Sequence, residues 1–258
     1  MVKISVVVIT LNEEKNLKRC LQSVKDIADE IIVVDSFSKD NTAAIAEQYG
    51  AKVISQAFLG FGVQKNFATE QATFDWILSL DADEALSPEL GQSILNVKEN
   101  PVYSAYRLSR LTNYCGKWIK HCGWYPDKKV RLYNRTKGSW QGERIHEHWE
   151  LYDENGQIGN LEGDLLHYSY YNISDHISQI EKFTEISAKA AAEQGKDCSV
   201  IKIWFVPKWN FFKDYILKLG ILDGYYGYLV CKFSAYASLI KYNKIRQYAA
   251  LRRKGVSI

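Results

Sequence analysis

No stretch of this chain runs uncharged for the roughly 18 residues that a membrane-spanning helix needs; the longest apolar candidates break at Asp223, Lys232 and Lys241. Glycine is missing where a dinucleotide-binding fold would show G-x-G-x-x-G. Thr10-Leu11-Asn12-Glu13-Glu14 follows the first apolar run and brings two acids instead, so a pyrophosphate cannot rest there on backbone amides. No G-x-x-x-x-G-K-[ST] phosphate loop occurs elsewhere. Cysteine is sparse, odd in number and scattered (Cys20, Cys115, Cys122, Cys198, Cys231), and Cys115 and Cys122 do not have a zinc spacing even with His121 beside them. Reduced thiols in a cytoplasmic protein are expected. Met1-Val2-Lys3 leads straight into the first strand, so no secretory segment is expected, and no motif of a nucleic-acid-binding module is present.

What the chain does have is a series of β-branched runs, each leading into a helix-like stretch. Ile4 to Ile9 precedes a helix over Glu13 to Val24, and Glu30 to Asp35 precedes one over Thr42 to Tyr49. Lys52 to Ile54 leads past Gly60 and Gly62 into Gln64 to Thr73, and Trp76 to Leu80 follows. Continuous apolar strands alternating with helices predict βαβ crossovers and an α/β fold with a mostly parallel central sheet and helices on both faces. With 258 residues, 47% of them hydrophobic and 24% charged, the chain can form one large domain or a domain with an appendage. Ligands of such sheets bind beyond the carboxyl ends of the strands. That rule gathers Thr10, Leu11 and Asn12 from the first strand, Asp35 from the second, and Asp81 and Asp83 from the fourth.

Asp81-Ala82-Asp83 is the most pointed of these. Two carboxylates one residue apart at the end of a buried strand require a cation, and hard oxygen ligands suit Mg²⁺ or Mn²⁺ held together with substrate phosphates. The plainer reading is a helix cap, with Asp83 or Ser87 opening the helix that begins near Pro88.

V-V-V-I-T-L-N-E-E-K-N-L at 6–17, D-E-I-I-V-V-D-S-F-S-K-D-N-T at 29–42 and W-I-L-S-L-D-A-D-E at 76–84 together resemble family-2 glycosyltransferases of the GT-A fold, a Rossmann-like architecture. Gly60-Phe61-Gly62-Val63-Gln64-Lys65-Asn66 resembles the segment before the metal motif in that family. Arg144-Ile145-His146-Glu147 and Gly220-Ile221-Leu222-Asp223-Gly224-Tyr225-Tyr226-Gly227 narrow the resemblance to bacterial lipopolysaccharide core-type glycosyltransferases. It implies an inverting, metal-dependent enzyme that moves a hexose, glucose from UDP-glucose, onto a saccharide hydroxyl of a lipid-linked glycan such as the lipopolysaccharide inner core. It also implies roles: Asp35 on the base or ribose, Thr10, Leu11, Asn12 and Glu13 around the base, Asp81 on ribose and metal, Asp83 on the metal, and Lys65 as a second cation at the diphosphate. By residue type alone Asp35 can equally cap its own turn with Ser36 and Ser38, Asn12 and Glu13 can start a helix, and Lys65 can be a solvated residue.

Inverting transfer needs a base on the acceptor hydroxyl. The resemblance favours Glu147, and Asp127, before the apparent strand Val130 to Tyr133, is the competitor. His148, with His146 one residue away, is carried as a candidate metal ligand beside Asp81 and Asp83, and His167 is open to the same reading. Two other classes compete with this one. A sugar nucleotidyltransferase would show a glycine- and arginine-rich signature after the first strand, which is lacking. A non-catalytic saccharide or nucleotide binder would keep Asp35 but need neither paired acids nor a base.

Charge is asymmetric. Val200 to Ile258 carries eleven Lys and Arg against Asp214 and Asp223, a net of +9, whereas the whole chain is +3, leaving −6 for residues 1–199. Aromatic residues are interleaved with those cations. A division into a transferase domain at 1–199 and a helical membrane-associating appendage at 200–258 is expected, the latter lying against anionic lipid on the cytoplasmic face of the inner membrane.

Overall fold

In the computed structural model, residues 1–142, 147–153 and 155–256 are described. The elements run β1 (Ile4–Thr10), α1 (Leu17–Val24), β2 (Glu30–Asp35), α2 (Thr42–Gln48), β3 (Lys52–Ser55), α3 (Phe61–Glu70), β4 (Trp76–Asp81), β5 (Glu84–Leu86) and α4 (Pro88–Glu99). There follow β6 (Ala105–Tyr114), β7 (Lys117–Ile119), β8 (Asp127–Asn134), β9 (Gly138–Gln141), β10 (His148–Leu151), β11 (Ile158–Tyr170), α5 (Ile173–Glu193), α6 (Val200–Phe212) and α7 (Gly224–Arg253). A π-helical turn (Lys213–Leu217) and a 3-10 turn (Gly220–Asp223) connect α6 to α7.

The chain divides into two compact units, Met1–Leu111 with Pro126–Tyr168, and Thr112–Tyr125 with Ser169–Ile258. In the first, the strand order is β3-β2-β1-β4-β8-β6-β11-β5. β3, β2, β1 and β4 are parallel, in keeping with the continuous apolar runs of β1, β2 and β4. Beyond β4 the pairing turns antiparallel, β8 on β4 and β6 on β8. The α/β class with helices on both faces is the expected one. Val6 and Val8 of β1 face a core with Leu17 and Leu21 of α1 and Leu90 and Ile94 of α4, while Val7 and Ile9 face a second core with Ala68 of α3.

Local chemistry trims the helices. α1 begins at Leu17, not Glu13: Asn12 is left-handed (φ 56°), and the N–H groups of Asn12 and Glu13 donate to Ser38 Oγ and Thr42 Oγ1, both at 2.8 Å. The loop after β1 is thereby tied to the loop after β2. α4 is capped by Ser87, whose Oγ accepts from the Leu90 N–H at 3.2 Å with Pro88 in the first turn. Asp83 is therefore not the cap of that helix.

The second unit takes in more than the 200–258 segment. Asp223 explains part of the difference: its carboxylate accepts from the His121 N–H at 2.8 Å and the Lys120 N–H at 3.3 Å and lies 3.0 Å from His121 Nδ1, so the 3-10 turn is bonded to the hairpin side of the unit. Gly220 and Gly227 of the 220–227 motif are packing devices. A Cβ on Gly220 would lie 2.8 Å from Cys231 Sγ and 2.9 Å from Cys122 Sγ, and one on Gly227 only 2.0 Å from the Gly220 carbonyl.

His176 is buried in the same unit among Tyr114, Trp124, Tyr170 and Phe233. Burial pushes its imidazole down to about 4. An unfolded histidine titrates near about 6.5, so between these values the unfolded chain binds a proton that the folded chain refuses, and stability falls as pH drops through that window. His176→Gln should flatten this acid limb in urea unfolding; an unchanged limb would assign the loss to other groups.

Candidate functional site

β1, β2 and β4 end side by side. Thr10 stands opposite Asp35 and Ile9 opposite Asp81 in the parallel register, so the expected polar residues do converge on one sheet edge. What they do there differs from residue to residue.

Lys65 is the pivot. The glycine-flanked start of α3 carries it inward, 1% exposed, where its ammonium donates to Glu147 Oε1 at 3.1 Å and lies 3.3 Å from Asp81 Oδ1, above the Trp140 ring at 4.8 Å. It is not a solvated lysine at a helix start. Glu147, the residue favoured as base, is thus joined to the first acid of D-x-D through one buried cation. Arg144, Ile145 and His146, which precede it in the motif, lie outside the described residues.

Asp81 is held from its other side. Arg131 of β8, 3% exposed, places NH2 2.6 Å from Asp81 Oδ2 and 2.7 Å from Glu84 Oε1, and the Asp81 N–H donates to Glu84 Oε2 at 3.0 Å. Burial works to raise the Asp81 carboxyl, but Arg131 and Lys65 outweigh it and hold it far below the usual carboxylate range. Asp81 Oδ1 has the Lys65 ammonium at 3.3 Å but, among the described residues, no well-aligned hydrogen bond. Arg110 NH1 lies 3.7 Å from Glu84 Oε1, and Arg110 NH2 lies 2.6 Å from Asp127 Oδ2. The result is one line of alternating charge, Glu147, Lys65, Asp81, Arg131, Glu84, Arg110, Asp127 and Lys129, with a candidate base near either end. Asp127 is the more heavily engaged of the two. Burial raises its carboxyl, but Arg110 and Lys129 bring it down below the ordinary value, which weakens it as a base.

Asp83 lies 3.2 Å from His167 Nε2 of β11. His148 instead sits exposed on β10 with Nε2 2.6 Å from Glu150 Oε1. Among the described residues, His167 thus brings an imidazole to the second acid of D-x-D. Burial, above all, pushes the Glu13 carboxyl up to about 6; Asp83 and Asp40 add to this, while a hydrogen bond from Asn16 and the nearness of His167 oppose it. Among the described residues there is no cluster of three or more His, Cys, Asp or Glu able to cage an ion. The pair Asp83 and His167 fits a divalent cation that keeps open positions for phosphate oxygens.

The residues expected around a base make turn contacts. Asp35 accepts from the Ser38 N–H at 2.9 Å and from the Ser38 hydroxyl. Asn12 Oδ1 accepts from the Lys39 N–H at 2.8 Å. Thr10 is buried and Leu11 is exposed. Sequence reasoning missed Arg131, Glu84 and Arg110. A signal existed for Arg131, because a guanidinium beside Leu132 and Tyr133 in an apolar strand must find carboxylates if it is buried.

The model for "Glycosyl transferase family 2" matches residues 5–149. An uncharacterized glycosyltransferase of Rickettsia felis is 34% identical over 265 residues, covering 99% of this chain and 93% of that one. The lipopolysaccharide core biosynthesis glycosyltransferase LpsC of Rhizobium meliloti is 29% identical over 266 residues, covering 97% and 94%. Among solved structures, TarS 1-349 of S. aureus superposes with a TM-score of 0.48 at 18% identity, covering 98% of this chain and 92% of that one. Glucosyl-3-phosphoglycerate synthase of Mycobacterium tuberculosis, solved with Mn²⁺, uridine diphosphate and glucosyl-3-phosphoglycerate, gives 0.49 at 17% identity over 72% and 78%. With the family model spanning more than half of the chain, and relatives a third identical along nearly their whole length, this chain belongs to glycosyl transferase family 2.

Proposed function

We propose that this glycosyltransferase moves a hexose, glucose from UDP-glucose, with inversion onto a hydroxyl of a lipid-linked saccharide of the lipopolysaccharide inner-core kind, at an anionic membrane surface on the cytoplasmic side. The observation that carries the reading is the buried Lys65, which holds Glu147 at 3.1 Å and Asp81 at 3.3 Å. It ties the candidate base to the first acid of D-x-D, at the end of β4. The likeness to LpsC supports the acceptor class.

Asp83 and His167 would hold the Mg²⁺ or Mn²⁺. When bound, the ion supplies Lewis-acid neutralisation of charge on the departing diphosphate. Asp81, fixed by Arg131 and Lys65, takes the ribose side of the donor, and Asp35 takes the base or ribose. Thr10, Leu11, Asn12 and Glu13 frame the base. Lys65 keeps the Glu147 carboxylate oriented, and an oxygen of that carboxylate accepts the proton of the acceptor hydroxyl as it attacks the anomeric carbon opposite the diphosphate.

A donor panel read by nucleotide release, with and without Mg²⁺ or Mn²⁺ and with detergent-solubilised lipopolysaccharide acceptors of defined truncation, tests the reading; no consumption of any sugar nucleotide would favour a non-catalytic binder. Glu147→Gln keeps shape and loses basicity, and should lower kcat by roughly 10²–10⁴-fold with little change in donor KM. A kcat near wild type would move the base to Asp127.

A further inference from the structure

We infer that the chain contacts the bilayer through residues 200–225 alone, that is α6, the two short turns after it and the first turn of α7, and that the rest of α7 is internal support. The inference rests on the membrane-surface reading above and narrows it to a surface and a lipid charge.

α6 is apolar on both faces. Ile203 and Pro207 point into the unit, while Ile201 (80% exposed), Trp204 (69%), Phe205 (62%) and Phe212 lie on the solvent side at helical spacing. The exposed apolar surface continues through Leu217 and Leu222 (63%) in the turns. Monomeric soluble proteins rarely leave a contiguous patch of this kind uncovered. No helix among the described residues is long and apolar enough to cross a membrane, so the element fits the interface plane.

Its charge is one-sided as well. Lys202, Lys208, Lys213 and Lys218 are interleaved with the apolar residues, and Lys208 Nζ stands 3.0 Å over the Trp204 ring, pairing an indole with a cation as at headgroup depth. Of the segment's two acids, Asp214 lies 3.2 Å from Lys218 and 3.7 Å from Lys213 and offsets one of their charges, and Asp223 is buried on the His121 N–H, so the exposed charge of the segment stays positive. A second copy packed on this face by two-fold symmetry would bring lysines against lysines, whereas anionic headgroups complement them.

Of the seven remaining cations of the basic tail, four are engaged by groups of the unit itself. Lys244 lies 2.8 Å from Glu181 and 3.1 Å from Glu185, and Arg253 pairs with Asp197. Arg252 donates to the Ala192 and Gly195 carbonyls at 2.9 Å each, and Arg246 to the Cys198 carbonyl at 3.0 Å. α7 buries Val230, Cys231, Ala235, Ile245 and Ala249. Part of the positive charge counted in the sequence is thus matched by the unit's own acids and carbonyls.

Co-sedimentation of the full chain with phosphatidylcholine vesicles, with and without phosphatidylglycerol, tests this at low salt. Wild type should bind only the anionic vesicles. Trp204→Ala with Phe205→Ala should lower partitioning at least about tenfold, since each ring's burial contributes more than a factor of ten. Leu222→Glu, on the other limb of the surface, should lower it comparably and guards against misfolding of the double variant, which a thermal melt reads directly. Lys241→Gln on α7 with Lys254→Gln just beyond it should stay within about twofold. Wild type that binds neither vesicle sinks the membrane reading itself. Wild type that binds, with undiminished binding by the α6 and turn variants, overturns only the location. Concentration-dependent dimerisation abolished by Trp204→Ala with Phe205→Ala, without vesicle binding, would give the surface to a second copy.

Discussion

Replacing Asp83 with alanine is expected to lower Mg²⁺- or Mn²⁺-dependent kcat by roughly a thousandfold or more, because several kcal/mol of charge stabilisation on the leaving diphosphate go with the ion. The chain should remain folded. Asp83 is not the cap of α4, a role that Ser87 fills, and its side chain is partly exposed rather than locked in the buried charge line. His167→Ala should act in the same direction and shift the Mn²⁺ concentration needed for half-maximal turnover upward, whereas His148→Ala should leave it unchanged. Nucleotide release titrated with metal and then with chelator reads all three. Full turnover by Asp83→Ala, or by wild type in excess chelator, would remove the metal from the scheme.

Arg131→Met should destabilise the first unit by roughly 3–5 kcal/mol, since removing one partner of a buried ion cluster leaves Asp81 and Glu84 uncompensated. The geometry makes the loss large: one guanidinium nitrogen serves Asp81 at 2.6 Å and Glu84 at 2.7 Å, and Glu84 is fully buried. Combining Arg131→Met with Glu84→Gln should cost less than the two single changes together, because the two groups share one network. Urea unfolding of the four proteins measures the coupling. A loss below about 1 kcal/mol for Arg131→Met would mean that the cluster is solvated and that Asp81 is positioned by something else. If the cluster is intact but only structural, Arg131→Lys should restore stability and activity together; if it also orients Asp81, stability should return ahead of kcat, since lysine supplies the charge without the planar fork.

By itself the sequence determined the parallel strands β1, β2 and β4 and the polar residues at their ends. The apolar runs, the turns that follow them and the D-x-D spacing are all set within a few neighbouring residues. The family was legible for the same reason, as its motifs are local. The functions of individual site residues were not. Lys65 reads by residue type as a solvated lysine and by resemblance as a cation at the diphosphate, and only the fold carries it to Glu147, 82 positions away. Arg131 has no motif, and its partners Asp81 and Glu84 stand 50 and 47 positions back along the chain. His148 and His167 are equivalent in sequence, and only the course of β10 and β11 puts one beside Glu150 and the other beside Asp83. The net +9 of the last fifty-nine residues was countable at once, but which of those cations face outward was decided by the packing of α5, α6 and α7. The energy of a charge depends on its burial and on partners a few ångströms away, and those distances exist only once strands and helices remote in the chain have packed together.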